Sequence, residues 1–246
     1  MRIVIPILKL LKTCTICSLI CLTSNIAYAD NWQSNSITFS HGGNYQLGDQ
    51  DREIITFEHA NGWEYGDTFF FTDISFLENS STKVYGELHP RISLGKVLDK
   101  QLDYGIINDV LIATQLEFGS DNIRVYLYGL GTNVKIPGFS YFMLNGYVRD
   151  NENLSGSTYQ ISAVWDYRFP IGNRKMTING FADWAGGEDN LEENLTIVPQ
   201  FLLDIGDVWN KPNRLYGGLE YQYWHNKFGV NGIEEHAPQA IVKFIF

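Results

Sequence analysis

Residues capable of chemistry recur along this chain at a spacing of two. Phe69, Phe71 and Asp73 follow that step, as do Tyr85, Glu87, His89 and Arg91. Further on come Arg124, Tyr126 and Tyr128, then Tyr141, Tyr147 and Arg149, Asp166 and Arg168, and Phe181 and Asp183. Glu220 and Trp224 lie an even step apart, and Lys243 sits near the end. A step of two places side chains on one face of an extended strand. Aromatic faces beside charged groups can stack on planar parts of a solute and exchange hydrogen bonds with its polar parts.

Covalent and acid–base chemistry finds little support. The five histidines are His41, His59, His89, His225 and His236. None stands in a Gly-x-Ser-x-Gly elbow, and His-Glu-x-x-His does not occur. Spacing alone leaves room for an Asp–His pair, but the chain reads as no enzyme, with no metal and no cofactor. All three cysteines, Cys14, Cys17 and Cys21, lie in the first residues, so the rest of the chain has no thiol for disulfides or thiolate ligation.

Those first residues read as an address. Arg2, Lys9 and Lys12 precede an apolar stretch around Ile16 to Leu22, and Ala27-Tyr28-Ala29 follows. That is the pattern of a secretory signal peptide over residues 1–29, cleaved before Asp30. The remainder, 30–246, is expected to be one domain, more acidic than the net charge of −10 of the whole chain. Such a charge excludes nucleic acid as a partner, because phosphate binding needs a basic surface. With 15 Phe, 14 Tyr and 6 Trp, disorder is excluded as well.

The elements that must position these groups are strands. After Asp30 no run of 18 apolar residues occurs, so no membrane helix is expected. Alternation recurs instead. Tyr159, Ile161, Ala163, Trp165, Tyr167 and Phe169 oppose Thr158, Gln160, Ser162, Val164, Asp166 and Arg168, and residues 83–94, 175–184 and 194–205 repeat the scheme. Twelve strands are predicted, near 35–42, 53–60, 65–76, 82–95, 104–118, 122–132, 138–149, 157–169, 174–186, 193–206, 214–225 and 237–246, with no helix needed. A soluble β-sandwich also alternates, but a dry core would not tolerate full charges strand after strand. The fold class is therefore all-β: a transmembrane antiparallel barrel whose even strand count puts both termini on the periplasmic side. The chain ends on a strand with Val242, Phe244 and Phe246 on one face, the ending by which such barrels are recognised for membrane assembly.

Numbered from the periplasm, the outward connections are acidic: Asp49 and Asp51, Asp150 and Glu152, Glu188, Asp189, Glu192 and Glu193, Glu234 and Glu235. The inward ones carry Lys96, Lys100, Lys135, Arg174, Lys211 and Arg214. An acidic mouth favours neutral or cationic solutes over anions. Acidic loops also serve simply to solvate a surface or bind divalent cations, and both readings stand.

Short landmarks run the length of the chain: His89-Pro90-Arg91-Ile92-Ser93-Leu94, Gly129-Leu130-Gly131-Thr132, Asn179-Gly180-Phe181-Ala182-Asp183-Trp184, Tyr223-Trp224-His225-Asn226 and Pro238-Gln239-Ala240-Ile241-Val242-Lys243-Phe244. In order and spacing the set resembles the Tsx/OmpK family of outer-membrane proteins, nucleoside-specific channel formers with relatives known as phage receptors, and it is most similar to the OmpK branch. The resemblance implies a monomeric twelve-stranded barrel with a narrow pore in the outer membrane of a Gram-negative bacterium. It implies as partners the lipid bilayer and lipopolysaccharide, the barrel-assembly machinery through Phe244 and Phe246, and phage at the outward loops. Alternation assigns the aromatic and ionisable residues at the two-residue spacing to the lumen face, most bracing its wall as ion pairs and a minority touching solute. This chain is shorter than the nucleoside-transporting members, which leaves open a less selective small-solute porin or a surface-recognition barrel with little transport role.

Overall fold

The computed structural model describes residues 32–78 and 81–246; the leader expected at 1–29 lies outside them. Twelve strands follow in chain order: β1 (Gln33–Gly42), β2 (Arg52–Trp63), β3 (Gly66–Leu77), β4 (Lys83–Ser93), β5 (Ile107–Gly119), β6 (Ile123–Val134), β7 (Phe139–Asn151), β8 (Thr158–Ile171), β9 (Arg174–Ala185), β10 (Asn194–Asp204), β11 (Leu215–His225) and β12 (Glu235–Ile245). Each pairs antiparallel with its sequence neighbours, and β12 returns to β1 from Ser36↔Ile245 to Gly42↔Gln239, closing the barrel. Phe246 N donates to Asn35 O at 3.0 Å and extends the seam. Closure is what lipid demands: no water satisfies an open edge in hydrocarbon, and each unpaired peptide group there costs several kcal/mol. Strands of 10 to 14 residues are long enough to cross when tilted.

Alternation sorts the two faces. Outward-facing Leu130, Leu219 and Val242 are 60%, 59% and 47% exposed, stable only against an apolar surrounding. Aromatics crowd both ends of that face. Tyr159 and Trp184 meet edge to face at 5.3 Å near one rim, while Tyr167 and Phe169 (5.4 Å) and Phe244 and Phe246 (6.0 Å) lie near the other. These are the interfacial girdles of a membrane barrel. Inward-facing positions hold Ser36, Thr38, Gln115, Asn145, Gln160, Ser162, Thr177 and Gln239, all buried. Two apolar patches interrupt this polar wall: Ala113, Val125, Leu127 and Tyr147 on β5–β7, and Leu202, Tyr216 and Ile241 on β10–β12.

The expectation of no helix is corrected. A five-residue helix α1 (Leu94–Leu98) opens the β4–β5 connection; Ser93 Oγ accepts from Lys96 N at 3.0 Å to cap it, and Asp99 ends it at φ +49°. It escaped notice because one helical turn is too short to show a period. Alternation also overran the start of β5, which begins at Ile107 rather than near 104.

The end where β1 begins and β12 finishes holds the connections 94–106, 135–138 and 205–214, in which Lys96, Lys100, Lys135, Lys211 and Arg214 outnumber Asp99, Asp103 and Asp207. The opposite end holds 43–51, 152–157, 186–193 and 226–234. These far-end loops are knitted together. Asn151 N donates to Glu188 Oε1 (3.2 Å), Ser155 N to Asp189 Oδ2 (3.3 Å), Glu192 N to Gly229 O (2.9 Å) and Asn226 Nδ2 to Glu193 O (3.1 Å). Gly229, at φ +75°, leaves no room for a side chain: an added Cβ would stand 2.7 Å from Leu191 Cβ.

Candidate functional site: the lumen

Most residues singled out from the sequence do face the lumen. Phe69, Phe71 and Asp73 project inward from β3, and Tyr85, Glu87, His89 and Arg91 from neighbouring β4. Their rings form a ladder along the wall, with centroids 6.0 Å apart for Phe69–Phe71, 5.6 Å for Phe69–His89 and 6.0 Å for Phe71–Tyr85. Glu87 ties this ladder to the next strands. It accepts from Tyr85 Oη at 2.5 Å and from Gln115 Nε2 at 3.0 Å, and is hydrogen-bonded to His89 Nε2 at 2.7 Å. Arg149 on β7 forks onto both oxygens of Glu117 and donates to Gln160 Oε1 at 2.8 Å.

The rest of the wall is braced in the same manner. Arg91 donates to both oxygens of Asp67 (2.8 and 2.7 Å), Lys243 pairs with Glu58, and Ser36 Oγ donates to Glu58 at 2.6 Å. Arg168 Nε donates to buried Asp166 at 2.7 Å, and Tyr141 stands opposite Asp166 across the β7–β8 ladder. Phe181 and Asp183 share the inner face of β9, with Asp183 beside Ser162. Glu220 accepts from Gln200 Nε2 at 2.6 Å and Gln239 Nε2 at 2.7 Å. Trp224 lies higher on the same strand. Its Nε1 donates to Asn194 Oδ1 at 3.3 Å and its ring packs on Phe228 at 4.5 Å, so it belongs to the mouth.

Three assignments are overturned. Tyr126, Tyr128 and Arg124 face outward, 41%, 52% and 53% exposed, while Val125 and Leu127 between them are buried on the inner side. Tyr126 Oη donates to Glu152 at the outer rim of the far end, at 3.1 Å. The parity was misread because β6 is apolar on both faces and tyrosine, apolar with a polar tip, is at home at a membrane surface. One acid also moves: Glu235, expected on a loop, begins β12 and is wholly buried.

Several lumen groups went unnoticed. Glu58 and Glu117 sit on strands whose inward parity also carries Ile54, Leu111 and Ala113, which hid the polar face. Gln115, Gln160, Gln200 and Gln239 carry no charge to draw attention, and only the closed register shows that they bridge carboxylates. Tyr45 and Lys227 had no signal at all, being loop residues. The 43–51 loop folds into the mouth, placing Tyr45 at 2% exposure beneath the guanidinium of Arg52 (4.2 Å) and near Lys227 Nζ (5.4 Å). Lys227 Nζ donates to Glu235 Oε1 at 2.5 Å and lies 5.0 Å from the Trp224 ring, while Gln46 N donates to Glu235 Oε2 at 2.9 Å. Burial pushes the Lys227 ammonium below the ordinary lysine value, and the pairing with Glu235 opposes that.

A closed sheet with an apolar outer face, aromatic girdles and a charged, hydrogen-bonded interior defines an outer-membrane barrel of the channel-forming class. The family described as nucleoside-specific channel-forming protein, Tsx, matches residues 27–240, and the chain belongs to it. Outer membrane protein OmpK of Vibrio parahaemolyticus is 27% identical over 160 residues, covering 62% of this chain and 54% of that protein, so the chain matches about half the length of this relative. Among solved structures, the KdgM porin and the KdgM porin in complex with disordered oligogalacturonate each superpose with a TM-score of 0.52 at 11% and 12% identity. Each covers 86% of this chain and 99% of the porin; at such identities the likeness concerns the fold. The protein is thus a Gram-negative outer-membrane β-barrel of a channel-forming family.

Proposed function

We propose that this barrel is a passive uptake channel for nucleosides, oriented with both termini in the periplasm and the knitted acidic loops outside, and working as a monomer. The observation that carries the reading is the inward ladder of Phe69, Phe71, Tyr85 and His89 with Asp73 beside it. It supplies ring faces for a base and hydrogen-bonding groups for a ribose on one wall. Phe181 with Asp183 adds a second such pair. Conduction needs weak sites in series rather than one tight site, which a ladder provides. Phe244 and Phe246, outward at the end of β12, are the assembly signal in this account, and lipopolysaccharide and phage meet the far-end loops. Single-channel recording in a planar bilayer tests it: nucleosides are expected to lower conductance reversibly. Block by sugars or amino acids instead would reassign the substrate to a less selective pore.

The inward fold of the 43–51 loop favours a second reading, a surface-recognition barrel with a plugged mouth. The same recording separates the two, since a plugged barrel would carry no steady current.

A further inference from the structure

Charge is not balanced evenly around the lumen wall. Arg91, Arg149, Arg168, Lys243 and Lys227 are each spent on a carboxylate partner. Among the described residues, the lumen acids Asp73, Asp183 and Glu220 have no cation partner; of these Asp73 accepts from Thr56 Oγ1 at 2.6 Å and Glu220 from two glutamine amides. A carboxylate offers about four lone-pair sites, so both keep unused acceptor capacity.

Two further oxygens nearby lack partners. Tyr45 Oη and Gln239 Oε1 are buried without a hydrogen bond, on residues 2% and 3% exposed. Polar atoms so placed are rarely left unmatched. Glu220 stands opposite Gln239 and Gln239 opposite Gly42. Asp73 lies one row away, opposite Thr56, which pairs with Thr38 four residues before Gly42, and Asp73 and Glu220 lie in each other's electrostatic field. Tyr45 follows Gly42 by three residues and folds inward above it, and its hydroxyl lies in the electrostatic field of both Glu220 and Asp73.

We propose that Tyr45, Gln239, Glu220 and Asp73 form a station for a small organic cation bearing N–H donors, such as a primary ammonium. The unspent groups are acceptors, with the tyrosine hydroxyl able to act either way, so the occupant must bring donors and positive charge. The Arg52 guanidinium and Lys227 Nζ flank the Tyr45 ring at 4.2 and 5.4 Å, so the occupant's positive charge is placed toward Glu220 and Asp73, and a cation without N–H leaves the orphaned oxygens unmatched. The acidic far-end loops, with Asp51, Glu152 and Glu192, raise the local concentration of such cations. This rests on the lumen being a solute passage, but not on nucleosides being its cargo.

Calorimetric titration of the detergent-solubilised protein decides it without requiring a pore. Ethanolammonium chloride is expected to bind saturably, and tetramethylammonium chloride, equal in charge but without donors, about tenfold more weakly, the worth of about one hydrogen bond. Tyr45→Phe, which removes a single oxygen, and Glu220→Gln should each weaken ethanolammonium by a similar factor while the circular dichroism stays that of the barrel. Equal affinity for the two cations, no saturable heat, or unchanged binding in Tyr45→Phe would overturn the station. A protein blocked by nucleosides in bilayers but indifferent to ethanolammonium would overturn this inference alone. One that binds ethanolammonium but is never blocked by nucleosides would overturn only the nucleoside reading.

Discussion

Phe181 and Tyr128 look alike in sequence, each an aromatic residue on an alternating strand within or next to a family landmark. Phe181 faces the lumen beside Asp183, whereas Tyr128 stands 52% exposed on the outer face, level with Thr114 of β5. A stacked base is worth about 1–3 kcal/mol, so Phe181→Ala should weaken nucleoside block by about fivefold or more. Tyr128→Ala, cutting an equally large ring that meets only lipid, should leave block unchanged. Titrating block in bilayers for both variants checks the assignment. Equal effects would mean that the face of β6 or of β9 has been misassigned.

The far-end loops hold one another through a few buried contacts, above all Lys227 with Glu235. Both side chains are almost wholly out of contact with solvent, at 2% and 0%. Removing one partner of such a pair leaves an uncompensated buried charge, which costs about 3–5 kcal/mol. Lys227→Met should therefore release the 43–51 and 226–234 loops, raising single-channel conductance and exposing both segments to protease. Adding Glu235→Gln removes the stranded charge while leaving an acceptor for Gln46 N, and should restore much of the wild-type conductance and protease resistance. If Lys227→Met keeps wild-type conductance and protease resistance, the pair does not hold the mouth.

At the scale of the whole molecule the two ends differ in charge as well as in loop structure. Basic residues such as Lys96, Lys135 and Lys211 cluster on the terminal side, and Asp49, Glu152, Asp189 and Glu192 on the other. If the acidic end faces outward, Ser155→Cys should react with a membrane-impermeant maleimide on intact cells, and Lys211→Cys only after lysis. No cysteine follows Cys21, and replacing Cys14, Cys17 and Cys21 by Ser keeps the labelling specific to the introduced thiol. The reverse labelling pattern would invert the barrel.

The strand count, the antiparallel barrel and the lumen face of β3, β4, β8, β9, β11 and β12 were legible in the sequence. Apart from β3, where Phe70 backs Phe69 and Phe71, those strands put unlike residues on their two faces, and the two-residue period of an extended chain carries that contrast to a known side. β6 gave no such contrast, with Val125 and Leu127 on one face and Tyr126 and Tyr128 on the other, so its parity waited on the neighbours that fixed its register. Only the closed structure decided which charges meet. Arg149 with Glu117 spans 32 residues of chain and Lys243 with Glu58 far more. Partners brought together by ring closure leave no local pattern, and neither does a loop such as 43–51 that gains its place by folding back onto groups from the other end of the sequence.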